Sequence, residues 1–256
     1  MKNSCLVLCI PLMLLMALLP VRSVGQVPMT GFAVVELFTS EGCSSCPPAD
    51  DVLVKLNLEY AGKTLYLLSF HVDYWDNLGW KDPFSNSAFT QRQQRYGQLF
   101  GASIYTPQAI VNGQKELIGS QSGTLHNLIN ANIRRVPDNS IACSASFKNR
   151  ELNVNYQLEN FSDKELINVA LVQERAVSRV AAGENKGTTI SHVNVVRVFK
   201  TVKGERSGSV QLTIPDDMRG SNLRIILYVQ DKNTWQIKCA NTLLIKPVMK
   251  TYIIKS

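Results

Sequence analysis

Phe32-Ala-Val-Val-Glu-Leu-Phe-Thr-Ser-Glu-Gly-Cys-Ser-Ser-Cys-Pro-Pro-Ala-Asp50 carries the reading on which the rest of the chain depends. Phe32 to Phe38 is short, apolar and rich in β-branched residues, so it predicts a buried strand. Thr39 to Gly42 has turn chemistry. Pro47 and Pro48 then open a helix to about Tyr60, with Val52, Leu53 and Leu56 at helical spacing. Proline suits a first turn because its missing N–H would have had no partner there. The pattern places Cys43 and Cys46 between the end of a strand and the start of a helix.

Two intervening residues let the sulfurs face each other across one helical turn. Free N–H groups and the dipole at a helix start favour an anion, which lowers a thiol from about 8.5 toward neutrality. Cys43 is therefore the expected nucleophile, and Cys46 the thiol that resolves the mixed disulfide. Ser44 and Ser45 add no charge, so no extreme oxidising bias is expected from them. Two other uses of the pair stay open. One is a structural disulfide, common in exported domains. The other is half of a zinc site, which needs four ligands and usually a second close pair; the only histidines are His71, His126 and His192.

Downstream, Leu65 to His71 predicts a second buried strand and Phe89 to Leu99 a helix rich in Gln and Arg. Thr106 to Val111 and Lys115 to Ile118 predict two strands joined by Asn112-Gly113, a strong hairpin signal. Ser122 to Arg134 closes the segment as a helix. Strands with helical crossovers and then a hairpin predict an α/β sheet with one antiparallel edge. His71, Asp73, Tyr74, Trp75 and Trp80 fall at or after the C-terminal end of the second strand, the edge where open α/β sheets hold ligands. They are candidates for a substrate groove beside the dithiol, with His71 adjusting thiolate charge. A folded aromatic cap is the competing reading of this long loop.

At the start of the chain stand Lys2, an apolar run from Cys5 to Leu19, and Ser23-Val24-Gly25. That is the order of a secretory signal over residues 1–25. The run falls short of the about 20 apolar residues that a membrane span needs. No stable span is expected after cleavage, and the mature protein is expected to be exported, periplasmic or secreted. Loss of Lys2 and Arg22 takes the formal net charge from +7 to +5. No basic run is interleaved with aromatics, so nothing points to nucleic acid. The cysteines left are Cys43, Cys46, Cys143 and Cys239. An even number in an exported chain suggests pairing, which makes Cys143–Cys239 a candidate structural disulfide; two buried free thiols are the alternative.

Beyond the linker Val136-Pro137-Asp138-Asn139 the texture changes. Alternating stretches at Ile141–Phe147, Leu152–Leu158, Ile167–Arg175, Val193–Phe199, Val210–Ile214, Leu223–Gln230 and Gln236–Ile245 predict an all-β sandwich. Gly183 to Arg197 carries two glycines, a Glu-Asn pair and His192. It is read as a loop docking onto the first domain, a partner site, or a long hairpin.

The order of elements resembles the thioredoxin superfamily over about residues 30–136. It has Cys43-Ser-Ser-Cys-Pro47 between the first strand and first helix, Thr106-Pro107 before the third strand, the Asn112-Gly113 hairpin, and Gly119 before the last helix. More narrowly, Val35–Asp50, His71–Asp76, Gly79–Ser85 and Tyr105–Gln108 look like an exported bacterial family, domain of unknown function 1223. Gly183–Gly187 and His192–Arg197 resemble that family's later part. These resemblances imply a thioredoxin-like α/β domain at residues 30–137 followed by an all-β sandwich-like domain at 140–250. The first also implies a cis Pro107 facing the dithiol, with Thr106 beside it in the groove. It further implies a buried acid in the strand before the dithiol, shuttling a proton to Cys46. Glu36 is the nearest acid, displaced by about one residue; the other reading is a strand-end carboxylate reaching solvent or a basic partner.

The expected function is thiol–disulfide oxidoreductase, acting on exported protein or small-molecule disulfides with an unknown redox partner. No organic cofactor is expected, since the chain lacks a Gly-rich nucleotide loop, and no resident metal, since zinc needs four ligands and the remaining cysteines fall in the other domain. Two alternatives remain. One is a non-catalytic binding module with a structural Cys43–Cys46 bridge. The other is a copper-handling protein using the dithiol and His71 as ligands.

Overall fold

A computed structural model describes residues 31–148, 150–218 and 223–245. The expected signal over 1–25 lies outside these residues. The first segment runs β1 (Ala33–Thr39), α1 (Pro47–Glu59), β2 (Leu65–His71), α2 (Ser87–Phe100), β3 (Gln108–Val111), β4 (Lys115–Ile118) and α3 (Ser122–Ile133). Seven strands follow: β5 (Ile141–Lys148), β6 (Glu151–Leu158), β7 (Glu165–Arg179), β8 (Thr189–Lys203), β9 (Ser207–Thr213), β10 (Leu223–Asp231) and β11 (Ile237–Ile245).

Local chemistry explains the ends. Pro47 starts α1. Asn86 caps α2 by accepting from the Ala88 N–H, and Gly101 ends it at φ 63°, where a residue without Cβ meets no penalty. Asn112 and Gly113 take φ of 47° and 67°, the positive values that a tight hairpin requires at both positions.

The architecture is a mixed sheet with few helices. Its strand order is β11-β10-β7-β8-β2-β1-β3-β4, and a second sheet has the order β5-β6-β9. β1 is parallel to β2 and antiparallel to β3. Every residue of β1 is buried, because helices cover both faces. α1 and α3 bury Leu53, Leu56, Leu125 and Ile129 against Val35 and Leu37. On the other face α2 buries Phe89 and Tyr96 against Val34, Phe38 and Phe70.

Instead of a separate all-β sheet after the linker, the two segments share one sheet. β8 joins β2 in parallel at Ser69↔Val195, and Ser69 Oγ donates to the Val193 carbonyl at 2.8 Å. The reason lies in β7, β8 and β10, which are apolar on both faces. Ile167, Val169, Leu171, Ile225 and Leu227 pack on Leu152, Val154 and Leu212 of the smaller sheet. Ala170, Val172, Val196, Ile226 and Tyr228 point the other way, into the core of the first segment. The sandwich-like packing is present, and its larger sheet continues into the α/β part.

The expected Cys143–Cys239 bridge does not form: both are free thiols. Both pack into the same apolar core between the sheets. Burial pushes Cys143 up to about 11 and Cys239 up to about 12, so each stays a protonated, weakly polar core group.

Candidate functional site

The turn between β1 and α1 is built from two successive backbone bonds, Cys43 N–H to Ser40 O at 3.2 Å and Cys46 N–H to Cys43 O at 3.1 Å. The Cys46 carbonyl then accepts from Ala49 at 2.8 Å and Asp50 at 3.2 Å, which starts the helix. Cys43 and Cys46 form a disulfide with Cα atoms 5.4 Å apart. Across from it lies the cis peptide Thr106–Pro107. Ser45 Oγ donates to the Thr106 carbonyl at 3.3 Å, and Trp75 Nε1 donates to Thr106 Oγ1 at 2.8 Å. Gly119 leaves room for this approach: a Cβ there would stand 2.6 Å from Leu37 Cδ1 and 3.4 Å from Pro107 Cβ.

Both cysteines are 0% exposed, although Ser44 and Ser45 between them face solvent. The cover comes partly from the β7–β8 connection. Asn185 Nδ2 donates to the carbonyls of Glu41 and Cys43 at 2.8 and 2.9 Å. The Ser44 N–H donates to Glu184 Oε2 at 3.2 Å. Gly183, at φ 73°, backs against Trp80, whose Cβ would lie 3.1 Å from any added Cβ. Residues 183–197 belong to a long hairpin, with β7 paired antiparallel to β8 as far as Arg179↔Thr189, and its turn docks onto the first segment.

Beneath the turn lies a buried cluster of ionisable groups. His192 Nδ1 is 3.0 Å from Asp50 Oδ1 and its Nε2 is 3.3 Å from Glu41 Oε1. Asp50 also accepts from Thr39 Oγ1 at 3.1 Å. Glu41 accepts from Trp80 Nε1 at 2.9 Å, and its N–H donates to Asp82 Oδ2 at 2.8 Å. Asp82 pairs with His71 Nδ1 at 2.6 Å, and the His71 and His192 rings meet edge to face at 4.8 Å. Burial pulls His192 down, but the bonds and charges of Asp50 and Glu41 outweigh it and push the ring up to about 10. Burial likewise pushes Asp82 up. The His71 charge and hydrogen bond, with the N–H groups of Glu41 and Phe84, outweigh it and hold Asp82 below the ordinary carboxylate value. His71 Nε2 is buried with no hydrogen-bond partner among the described residues. Among those residues no group of three or more His, Cys, Asp or Glu side chains is arranged to hold a metal ion.

The residues expected to line a groove are thus mostly engaged with the protein itself. His71 is fully buried. Asp73 turns to α2, where it accepts from Thr90 Oγ1 at 2.5 Å. Trp75 and Trp80 flank the dithiol turn through Thr106 and Glu41.

Glu36 faces away from the dithiol, into the core beneath α2. Strand alternation puts Thr39 and Leu37 toward α1 and Glu36 on the opposite face. There it accepts from Arg92 Nε at 2.8 Å, from Tyr228 at 2.7 Å, and from Tyr96. The displacement of one residue is decisive, because a shift of one in a strand changes the face. Buried acids near the dithiol come instead from Asp50 and Glu41, which the sequence reading missed. A signal for Asp50 existed: it sits three residues before Leu53, on the buried stripe of α1.

The chain matches the family model described as "Protein of unknown function (DUF1223)" over residues 34–230. A crystal structure of a protein from Agrobacterium tumefaciens is similar, with 25% identity and a TM-score of 0.60, covering 85% of this chain and 95% of that one. A β-glucuronidase from Ruminococcus gnavus aligns with 44% of this chain and 16% of its own, at 12% identity and a TM-score of 0.25, too low to inform the fold. No curated protein matches the chain.

Proposed function

The chain belongs to the DUF1223 family, and from the geometry of its dithiol turn we propose that it is an exported thiol–disulfide oxidoreductase. The observation that carries this reading is the Cys43–Cys46 disulfide at the start of α1, facing Thr106–Pro107. A substrate thiolate attacks one sulfur, the Sγ–Sγ bond breaks, and a mixed disulfide forms. The released sulfur holds the negative charge until it takes a proton. Attack by the second substrate thiol restores both cysteines and leaves the substrate oxidised by two electrons; the reverse sequence reduces a substrate disulfide. Exported protein or small-molecule disulfides are the substrate class, with a separate redox partner to reset the pair.

A thioredoxin-like origin for residues 30–137 is part of this proposal. It is supported by the β1–α1–β2 crossover, by α2 on the opposite sheet face from α1 and α3, and by the antiparallel β3–β4 edge. The test is a redox titration of the mature chain in glutathione buffers, with free thiols alkylated and counted by mass. Titration of Cys43 and Cys46 within the glutathione range, and its loss in Cys43→Ser, is the expected result.

Full burial of both sulfurs favours a second reading, a structural bridge in a binding module. In that case the pair has a potential below about −300 mV and stays oxidised throughout the titration.

A further inference from the structure

The charges beneath the dithiol turn come from both halves of the chain. Asp50 stands one helical turn after Cys46, on the same face by its spacing of four, and its N–H is bonded to the Cys46 carbonyl. Glu41 stands two residues before Cys43, and the carbonyls of both share the Asn185 amide. Between the two carboxylates lies His192, from β8, with one ring nitrogen against each. An imidazole whose two nitrogens both meet carboxylate oxygens donates from both, which is the charged form.

We propose that His192 is the positioning residue that sets the charge balance at the Cys43–Cys46 dithiol, so that the second half of the chain tunes the redox equilibrium of the first. Its biological use rests on the exchange reading above; its physics concerns only the disulfide–dithiol equilibrium. When an external dithiol reduces the bridge, the Sγ–Sγ bond breaks and two electrons enter. The external dithiol becomes a disulfide, and each Cys sulfur is left as thiolate or takes a proton. A positive charge held beside the turn favours the thiolate, and a negative charge there disfavours it, more strongly in a buried site than in water. The groups facing His192 are Asp50 from α1, Glu41 from the turn, and the rings of His71 and Phe84. Asp82 is tied to this set through His71 Nδ1 and the Glu41 N–H.

The test follows the potential of the full mature chain in dithiothreitol redox buffers from about pH 6 to 9. The pH at which the potential changes slope marks thiolate onset. In His192→Gln the onset is expected to rise by about one pH. Above it the exchange constant moves about tenfold toward the disulfide, which is about 30 mV for a two-electron couple. Asp50→Asn and Glu41→Gln each remove a negative charge and are expected to move the onset the other way. Shifts of opposite sign are something a purely structural role does not produce. An unmoved onset in folded His192→Gln, or shifts of one sign in all three variants, would overturn the proposal. If His192→Gln does not fold, an unmoved or raised onset in Glu41→Gln overturns it. A wild-type bridge that stays oxidised across the whole glutathione range defeats the exchange reading alone, since the onset comparison is still made with dithiothreitol.

Discussion

Arg92 Nε on α2 donates to Glu36 Oε1 on β1 at 2.8 Å, inside the core. Arg92 also reaches Tyr228 at 3.0 Å and Gln230 at 3.1 Å on β10, so one ion pair ties the helix to strands from both halves of the shared sheet. Its guanidinium lies among the rings of Phe70, Tyr96, Phe199, Tyr228 and Trp235, 4.9 to 5.8 Å from their centroids. Removing one partner of a buried pair strands the other charge. Glu36→Gln is expected to cost about 3 kcal/mol in urea unfolding, while the potential of the Cys43–Cys46 pair stays at the wild-type value. A moved potential would restore Glu36 as a proton relay.

His192 makes stability depend on alkaline pH. Its folded value of about 10 lies above its ordinary value of 6.5. The stabilisation from its charge is therefore complete below about pH 6.5 and disappears as pH rises through about 10. The gap in urea midpoint between wild type and His192→Gln is expected to narrow across that window. Asp82 is held low, so its contribution is present above the ordinary carboxylate range and is lost as pH falls through its folded value. A gap that stays constant from pH 6.5 to 10 would mean that His192 is not charged in the fold.

Asn185 closes the cover over the disulfide with two hydrogen bonds from its side-chain amide to the carbonyls of Glu41 and Cys43. Asn185→Ala leaves both without that donor, at a cost of about 1 to 3 kcal/mol. It also opens a path to the sulfurs. Stopped-time alkylation should show reduction by dithiothreitol speeding up roughly tenfold, the effect of about 1.4 kcal/mol off the opening step. An unchanged rate would mean that the attacking thiol enters from another side.

Cys143 and Cys239 are predicted to resist iodoacetamide in the native state near neutral pH, since burial raises both thiols and the thiolate is the reactive form. Unfolding without reductant should then add two labels, one at each. No added label would mean a bridge between them.

Much of the fold was legible locally. β1, β2 and the Asn112-Gly113 hairpin follow from apolar runs and turn residues, and α1 from its prolines. What the pattern withheld is which face each residue takes. In β1 both faces are buried, so no alternation reveals that Glu36 points away from α1. Nor does any local signal say that β8 pairs with β2, because an apolar two-faced strand fits a sandwich and an extended sheet equally. The charged cluster under the dithiol was hidden for the same reason. Glu41, Asp50 and Asp82 are acids in turns, a helix start and a loop, where they ordinarily face solvent. Glu41 and Asp50 find their buried partner in His192, far along the chain, and Asp82 finds His71.

The contact between Asn185 and Cys43 spans 142 residues, and this has a consequence for the order in which the protein is made. A chain grown from its N-terminus at about 5 to 20 residues per second presents both cysteines for roughly 7 to 28 s before the segment that covers them exists. Oxidants met in that interval reach the sulfurs without displacing anything. The history of the bridge in a newly made molecule is thus set by timing, and only later by affinity.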